Sequence, residues 1–142
     1  MSERILLVDD EEEFTDVLAQ RLEGRGVKVD VVPNGLHAVE KAKQESFDAI
    51  IVDLVMPGID GLETCRRLLA DNPKLQVILL TGHATLETGL QALKLGAMDF
   101  LEKPADMQKL MERIGTAKTQ KMLLVEKEAE ERVRKILRSK GW

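Results

Sequence analysis

Five polar residues follow short apolar runs in the sequence, and together they could handle a phosphoryl group. Asp9 and Asp10 come directly after the first run. Asp53, Thr81 and Lys103 each stand at or just past the end of a later run. Few carboxylates with room for water favour Mg²⁺ over a full Ca²⁺ cage. An ammonium and a hydroxyl can bind phosphoryl oxygens, so the set indicates phosphoryl transfer to a carboxylate.

Each of these residues also has an ordinary structural interpretation when taken alone. Asp10 with Glu13 would make a helix capping box at the start of the first helix. Thr81 could end a strand or cap a helix, and Lys103 could be a solvated surface lysine. Asp53 is harder to explain in this way, because a carboxylate beside a buried sheet needs a partner. The ordered combination is what favours a functional site.

The residues that precede these polar groups predict the strands that position them. Apolar runs at residues 5–8, 29–32, 49–52 and 77–80 indicate buried strands, and residues 99–101 indicate a weaker fifth strand. Their apolarity is continuous, which indicates burial on both faces, as in a parallel sheet covered by helices.

Helical patterns lie between the predicted strands. The first helix is expected to end at Gly24 and Gly26, which suit a left-handed helix end. A capping box of Asp60 and Glu63 opens the third helix, which ends before Pro73. The fifth helix is expected to begin near residue 105. A fourth helix is expected to end near Gly96, and the residues that bracket it are Leu86, Leu90, Leu93 and Ala97.

Alternating strands and helices predict a doubly wound α/β fold with one five-stranded parallel sheet. Chemistry in such folds gathers at the carboxyl ends of the strands, beside the point where the strand order reverses. In the order 2-1-3-4-5 the first and third strands are neighbours, which would bring Asp9, Asp10 and Asp53 into one cleft. The three carboxylates would repel one another without a cation.

The motifs at the strand ends resemble the receiver domain of two-component response regulators. These motifs are ILLVDDEE, VDLVMPGIDG, LLTGHA and DFLEKP, and the resemblance covers residues 3–118. It implies a flavodoxin-like receiver in residues 1–119 that is phosphorylated by a sensor histidine kinase or a phosphotransfer protein. The segment TGHATLETGLQALKLGAMDFLEKP is most similar to receivers of the nitrogen-regulation class of transcriptional activators.

The resemblance implies a role for each residue of the site. Asp53 would be the phosphoacceptor. Asp10 and Asp53 would bind Mg²⁺ directly, and Asp9 would act through a bound water. Val55 would offer its backbone carbonyl to the metal. Lys103 would neutralise the phosphoryl oxygens.

The resemblance also implies a conformational switch and a means of setting its lifetime. Thr81 would move to hydrogen-bond the phosphoryl group, and Phe100 would turn inward with it. Pro104 is expected to follow a cis peptide bond. Val55 and His83 stand where the family tunes the access of hydrolytic water. An apolar Val55 cannot position that water, so the phosphoryl lifetime is expected to depend on His83 and local sterics.

Rival phosphate-handling folds fit the same residues poorly. A nucleotide-binding α/β domain needs a glycine-rich turn after its first strand, where this chain has the acidic residues 9–13. A dehalogenase-like phosphohydrolase has a D-x-D pattern, whereas Asp9 and Asp10 are adjacent. A degenerate receiver that only binds a partner remains an alternative.

Composition limits the other classes. The net charge is −4 and no stretch is strongly basic, which disfavours direct nucleic-acid binding. Cys65 is the single cysteine, so no intramolecular disulfide is expected, and it is predicted to be a buried packing residue. No segment resembles a signal peptide or a membrane span, and a cytoplasmic protein is expected.

Residues 120–142 exceed a minimal receiver and predict a helical extension or linker. Three i, i+4 pairs of glutamate with arginine or lysine support the helix. Its apolar stripe could fold onto its own domain or pair with a second copy, and the acidic 126–131 and basic 132–140 segments would suit an antiparallel pair. A homodimer through this helix, or through the face of the fourth helix, fifth strand and fifth helix, is expected, with an output domain as a further partner. The stripe consists of Met122, Val125, Ala129, Val133 and Ile136.

Overall fold

The chain folds around one five-stranded parallel sheet. The computed structural model describes residues 2–139. Its strands are β1 (Arg4–Val8), β2 (Lys28–Val32), β3 (Ala49–Val52), β4 (Val77–Thr81) and β5 (Asp99–Glu102). They pair in the order β2-β1-β3-β4-β5, and every pair is parallel. The predicted doubly wound fold and its strand order are confirmed.

Helices cover both faces of this sheet and divide the core into two layers. They are α1 (Glu12–Glu23), α2 (Gly35–Gln44), α3 (Gly61–Asp71), α4 (Leu86–Leu95) and α5 (Met107–Ser139). Leu6 and Val8 pack in the layer that holds buried residues of α2, α3 and α4. Ile5 and Leu7 pack in the layer of α1 and α5. Burial on both faces explains the continuous apolar sequences of β1, β3 and β4. The edge strand β2 is less buried than predicted, because Asp30 interrupts its apolar run and Val31 is exposed.

The start of α1 differs from the sequence prediction. The residue before this helix is Glu11, and no side chain caps the helix. The capping box of Asp10 and Glu13 therefore does not form. Asp10 lies one residue too early in the chain for that role, which leaves its carboxylate free to face the neighbouring aspartates.

Only one of the two hydrogen bonds of the predicted capping box forms at the start of α3. The Glu63 backbone N–H donates to Asp60 Oδ1 at 2.8 Å, so Asp60 caps the helix as expected. The Glu63 carboxylate does not return to the Asp60 backbone. It accepts hydrogen bonds from Arg66 and Arg67 instead, which lower the pKa of Glu63 to about 2.

One helix end differs from prediction, and the packing of α4 is not evident from its sequence. Gly26 and Gly96 adopt positive φ angles of 87° and 104°, whereas Gly24 is right-handed with φ of −61°. The leucines that marked the predicted fourth helix are exposed, with Leu86 at 81%. This helix packs on the sheet through its small residues, chiefly the buried Ala92, so its larger side chains point away from the core. The other exposed α4 leucines are Leu90, Leu93 and Leu95.

Cys65 is buried in α3, as predicted, and burial raises the pKa of its thiol to about 11.

Helix α5 continues without a break through the predicted domain boundary at residue 119. Its first half buries Leu110, Ile114 and Ala117 against the sheet. Its second half touches the domain through Lys121, which donates to the Phe47 carbonyl at 2.8 Å, and through an ion pair between Lys74 and Glu128. None of the helices within residues 2–139 combines the length and the apolarity needed to cross a bilayer.

Candidate functional site

The strand order brings the ends of β1, β3, β4 and β5 together at one edge of the sheet. Val8 and Val52 are register partners, so the residues that follow them are neighbours. The Asp53 backbone N–H donates to the Val8 carbonyl at 2.9 Å. The Lys103 backbone N–H donates to the Thr81 carbonyl at 2.9 Å. The backbone ladder therefore continues one residue beyond the strands and fixes where the polar side chains begin.

Three carboxylates converge at this edge. Oxygen atoms of Asp9, Asp10 and Asp53 lie within 4.8 Å of one another. Asp9 and Asp53 are buried, whereas Asp10 is exposed. Asp53 Oδ1 is buried without a hydrogen-bond partner. An unsatisfied buried carboxylate oxygen beside two more carboxylates is costly, and a hard divalent cation fits this donor set.

The Lys103 ammonium faces these carboxylates. Its Nζ lies 2.8 Å from Asp9 Oδ2 and 3.7 Å from Asp53 Oδ2. It also lies 3.2 Å from Glu11 Oε1. Burial alone would lower the pKa of Lys103, but the hydrogen bond to Asp9 and the charges of Asp9 and Asp53 outweigh it, so the pKa is raised. Lys103 is therefore a charged group at the site.

Burial has the larger effect on Asp9. It raises the pKa of the Asp9 carboxyl, while the hydrogen bonds from Lys103 and from the Glu11 backbone N–H oppose that shift. Both Asp9 oxygens are engaged, because Oδ1 accepts from the Glu11 N–H at 3.0 Å and Oδ2 accepts from Lys103. Asp53 Oδ1 has no such partner, and this difference separates two otherwise similar carboxylates.

The remaining predicted site residues surround this cluster. Thr81 is fully buried at the end of β4, and its Oγ1 accepts a hydrogen bond from the His83 backbone N–H at 3.1 Å. The His83 side chain is exposed, and Val55 is half-exposed in the loop after β3. The Lys103–Pro104 peptide bond is cis.

Phe100, the predicted switch aromatic, is half-buried on β5 and packs against α4. A Cβ atom at Gly89 would lie 3.3 Å from Phe100 Cδ1. The ring therefore occupies space that a glycine leaves open.

Sequence reasoning missed two residues that contact Lys103. One is Glu11, whose membership of the acidic 9–13 segment was the available signal. The other is Phe14, whose ring centroid lies 4.0 Å from Lys103 Nζ. No spacing rule could have found Phe14, because the contact joins α1 to the end of β5.

The sequence profile of the response regulator receiver domain matches residues 5–115. The chain belongs to this family. Such receivers are phosphorylation-dependent signalling switches of two-component systems, so the family inferred from the strand-end motifs is confirmed. Among curated relatives, the transcriptional regulatory protein ZraR of Klebsiella oxytoca is 39% identical over 106 residues. That alignment covers 75% of this chain but only 24% of ZraR.

Two solved receiver structures are informative about the site. A response regulator protein from Burkholderia pseudomallei, solved with a phosphorylated aspartic acid, a calcium ion and citrate, is 33% identical with a TM-score of 0.75. The match covers 92% of this chain and 75% of that one. TrrA from Thermotoga maritima, solved with Mg²⁺ and BeF, is 30% identical with a TM-score of 0.74 and is matched over 98% of its length, or 81% of this chain.

Proposed function

We propose that this chain is a Mg²⁺-dependent receiver that accepts a phosphoryl group on Asp53 from a histidine kinase or a phosphotransfer protein. The observation that carries the proposal is the buried, unpartnered Oδ1 of Asp53, which lies beside two further aspartates. The Lys103 ammonium lies 3.7 Å from the other oxygen of the same carboxylate. A nucleophile, a cation site and a fixed positive charge thus meet at one point.

Each residue has a defined task in the proposed transfer. Asp53 attacks phosphorus with a carboxylate oxygen, forming an acyl phosphate as the bond from phosphorus to the donor breaks. The Mg²⁺ would be held by Asp9, Asp10, Asp53 and the Val55 carbonyl, and when bound it neutralises charge on the phosphoryl oxygens. Lys103 binds those oxygens and offsets their remaining charge.

The buried hydroxyl of Thr81 is the proposed link between phosphorylation of Asp53 and a change at the protein surface. Thr81 Oγ1 accepts a hydrogen bond from the His83 backbone. A phosphoryl group on Asp53 offers the Thr81 hydroxyl a new acceptor, and Phe100 moves inward as Thr81 turns. The face of α4, β5 and α5, with its exposed leucines, then changes shape and controls a partner or an output domain.

The first experiment is intact mass spectrometry of the chain after incubation with acetyl phosphate. We expect one added phosphoryl group in the presence of Mg²⁺ and none when EDTA is present, because the three carboxylates need a cation before an anionic donor can approach. An adduct that forms equally well in EDTA would contradict the proposed metal dependence. No adduct under either condition would favour the degenerate binding module.

The proposed lifetime role of His83 has its own test. We expect His83→Ala to slow autodephosphorylation by roughly tenfold. This effect is smaller than the usual effect of removing a general acid or base, because the exposed imidazole only positions water. His37→Ala is the matched control, since His37 is an exposed histidine on α2. Equal dephosphorylation rates in the two variants and the wild type would discard the role.

We also propose that residues 1–119 form the receiver and that the extension, residues 120–142, pairs with a second copy of the chain. Along the described part of the extension, the apolar stripe is exposed: Val125 by 49% and Val133 by 54%. Glu128 pairs with Arg132 and Glu130 with Arg134 along the same helix. Helices with exposed apolar stripes bury them by association.

A change of both stripe valines tests this pairing. We expect the wild-type chain to be dimeric at high concentration by light scattering, and Val125→Gln/Val133→Gln to be monomeric. Lys127→Gln/Arg134→Gln, on the opposite side of the same helix, is the matched control and should stay dimeric. A wild-type chain that remains monomeric at high concentration would rule the pairing out.

A further inference from the structure

The ammonium of Lys103 has an aromatic neighbour in addition to its carboxylate partners. The ring of Phe14, in the first turn of α1, lies with its centroid 4.0 Å from Lys103 Nζ. The three carboxylates near the same ammonium belong to Asp9, Glu11 and Asp53. The Lys103 side chain is only 12% exposed, so this contact is largely shielded from solvent.

The ring and the carboxylates hold the ammonium in different ways. A carboxylate accepts hydrogen bonds from the ammonium and neutralises the ammonium charge, and in this way Asp9 draws Lys103 toward itself. The face of an aromatic ring attracts a cation through its quadrupole and occupies none of the hydrogen bonds that a phosphoryl oxygen needs. A cation held in part by a ring keeps its charge and its donors available.

We propose that Phe14 is a positioning residue for phosphoryl transfer: its ring face keeps Lys103 Nζ beside Asp53, where it can bind the oxygens of the incoming phosphoryl group. Phe14 acts through Lys103, because its ring offers no polar atom to Asp53 or to a phosphoryl group. The inference rests on the role proposed above for Lys103.

The packing of Phe14 suits this role. The ring is half-buried and packs against the core layer that contains α1 and α5. It lines a cavity of about 200 Å³ together with Leu18, Pro104, Ala105 and Met107. Three of those residues follow Lys103 in the chain, so the ring borders both the ammonium and the segment that leads away from it.

A double-mutant cycle tests whether Phe14 acts through Lys103. Phe14→Leu keeps an apolar side chain and removes the ring, and Phe14→Tyr keeps the ring face. We expect Phe14→Leu to lower both the rate of phosphorylation by acetyl phosphate and the affinity for beryllofluoride about tenfold, as for a desolvated cation–π contact. Phe14→Tyr should stay within about twofold of wild type, and Phe14→Leu should have no further effect in a Lys103→Ala background.

Two controls separate positioning from loss of folding. Val17→Ala alters an exposed residue that lines the same cavity, one turn further along α1, and should leave both readouts unchanged. The side-chain NMR signals of Lys103 should show an upfield ring-current shift that is lost in Phe14→Leu. If Phe14→Leu does not fold, Phe14→Met supplies a second ringless variant.

The outcomes distinguish this inference from the proposed function. A slow Lys103→Ala variant together with a Phe14→Leu variant of wild-type rate would overturn the role of Phe14 alone. Equal damage by Phe14→Leu in the presence and in the absence of Lys103 would also overturn the role of Phe14. A Lys103→Ala variant with wild-type rate would overturn the proposed role of Lys103 and the inference with it.

Discussion

An Asp53→Ala variant incubated with acetyl phosphate and Mg²⁺ will keep its unmodified mass, whereas the wild-type chain will gain one phosphoryl group. Three aspartates are close enough to compete as acceptors, but they differ in their partners. Asp9 uses both oxygens in hydrogen bonds, and Asp10 is exposed. Only Asp53 among the three combines burial with an oxygen that has no partner and a lysine ammonium nearby.

Urea unfolding tests whether Asp53→Ala loses phosphorylation because its acceptor is gone and not because its fold is damaged. In EDTA, removing the Asp53 carboxylate relieves an unsatisfied buried acceptor and its repulsion with Asp9. We therefore expect urea unfolding to give Asp53→Ala a free energy of unfolding about 1 kcal/mol above wild type. Asp16→Ala, an exposed change on α1, is the control and should be phosphorylated normally. A phosphoryl adduct in Asp53→Ala that maps to Asp9 or Asp10 would contradict the assignment of Asp53 as the acceptor.

The sequence predicted the sheet well because its three central strands, β1, β3 and β4, are buried on both faces. A run such as residues 49–52 has no polar position and admits few alternatives. The candidate site followed from the same fact, since Asp53 is simply the first polar residue after such a run. Where polar residues mark the ends of buried strands, the topology alone brings them together.

The sequence was less informative about which face of a helix packs against the sheet. Leu86, Leu90 and Leu93 form a helical stripe, but α4 turns its small Ala92 to the core and leaves the leucines in solvent. Periodicity indicates that a helix is amphipathic and does not reveal whether large or small residues meet the sheet. Contacts such as Phe14 with Lys103 are also invisible to it, because they join elements that are distant in the chain.

Replacing Gly61 with alanine is expected to have the largest effect on stability. Gly61 is the first residue of α3, and its backbone N–H donates to the Leu54 carbonyl at 2.7 Å. A Cβ atom there would lie 2.3 Å from the Asp53 carbonyl oxygen and 2.7 Å from Leu54 Cα. Both atoms belong to the backbone, so no side-chain rotation relieves the clash. We expect a loss of about 3 kcal/mol in the free energy of unfolding.

Because the atoms that must move belong to Asp53 and Leu54, Gly61→Ala should also displace the acceptor from Lys103 and slow phosphorylation. Gly115→Ala is the matched control: it lies within α5, where no atom outside the helix backbone lies within 4 Å of a new Cβ. There alanine should raise the free energy of unfolding by about 1 kcal/mol, because it favours the helix. Urea denaturation of both variants measures the contrast. Equal free energies of unfolding for Gly61→Ala and Gly115→Ala would mean that the loop after β3 shifts freely. The packing of α3 against that loop would then not be what fixes the position of Asp53.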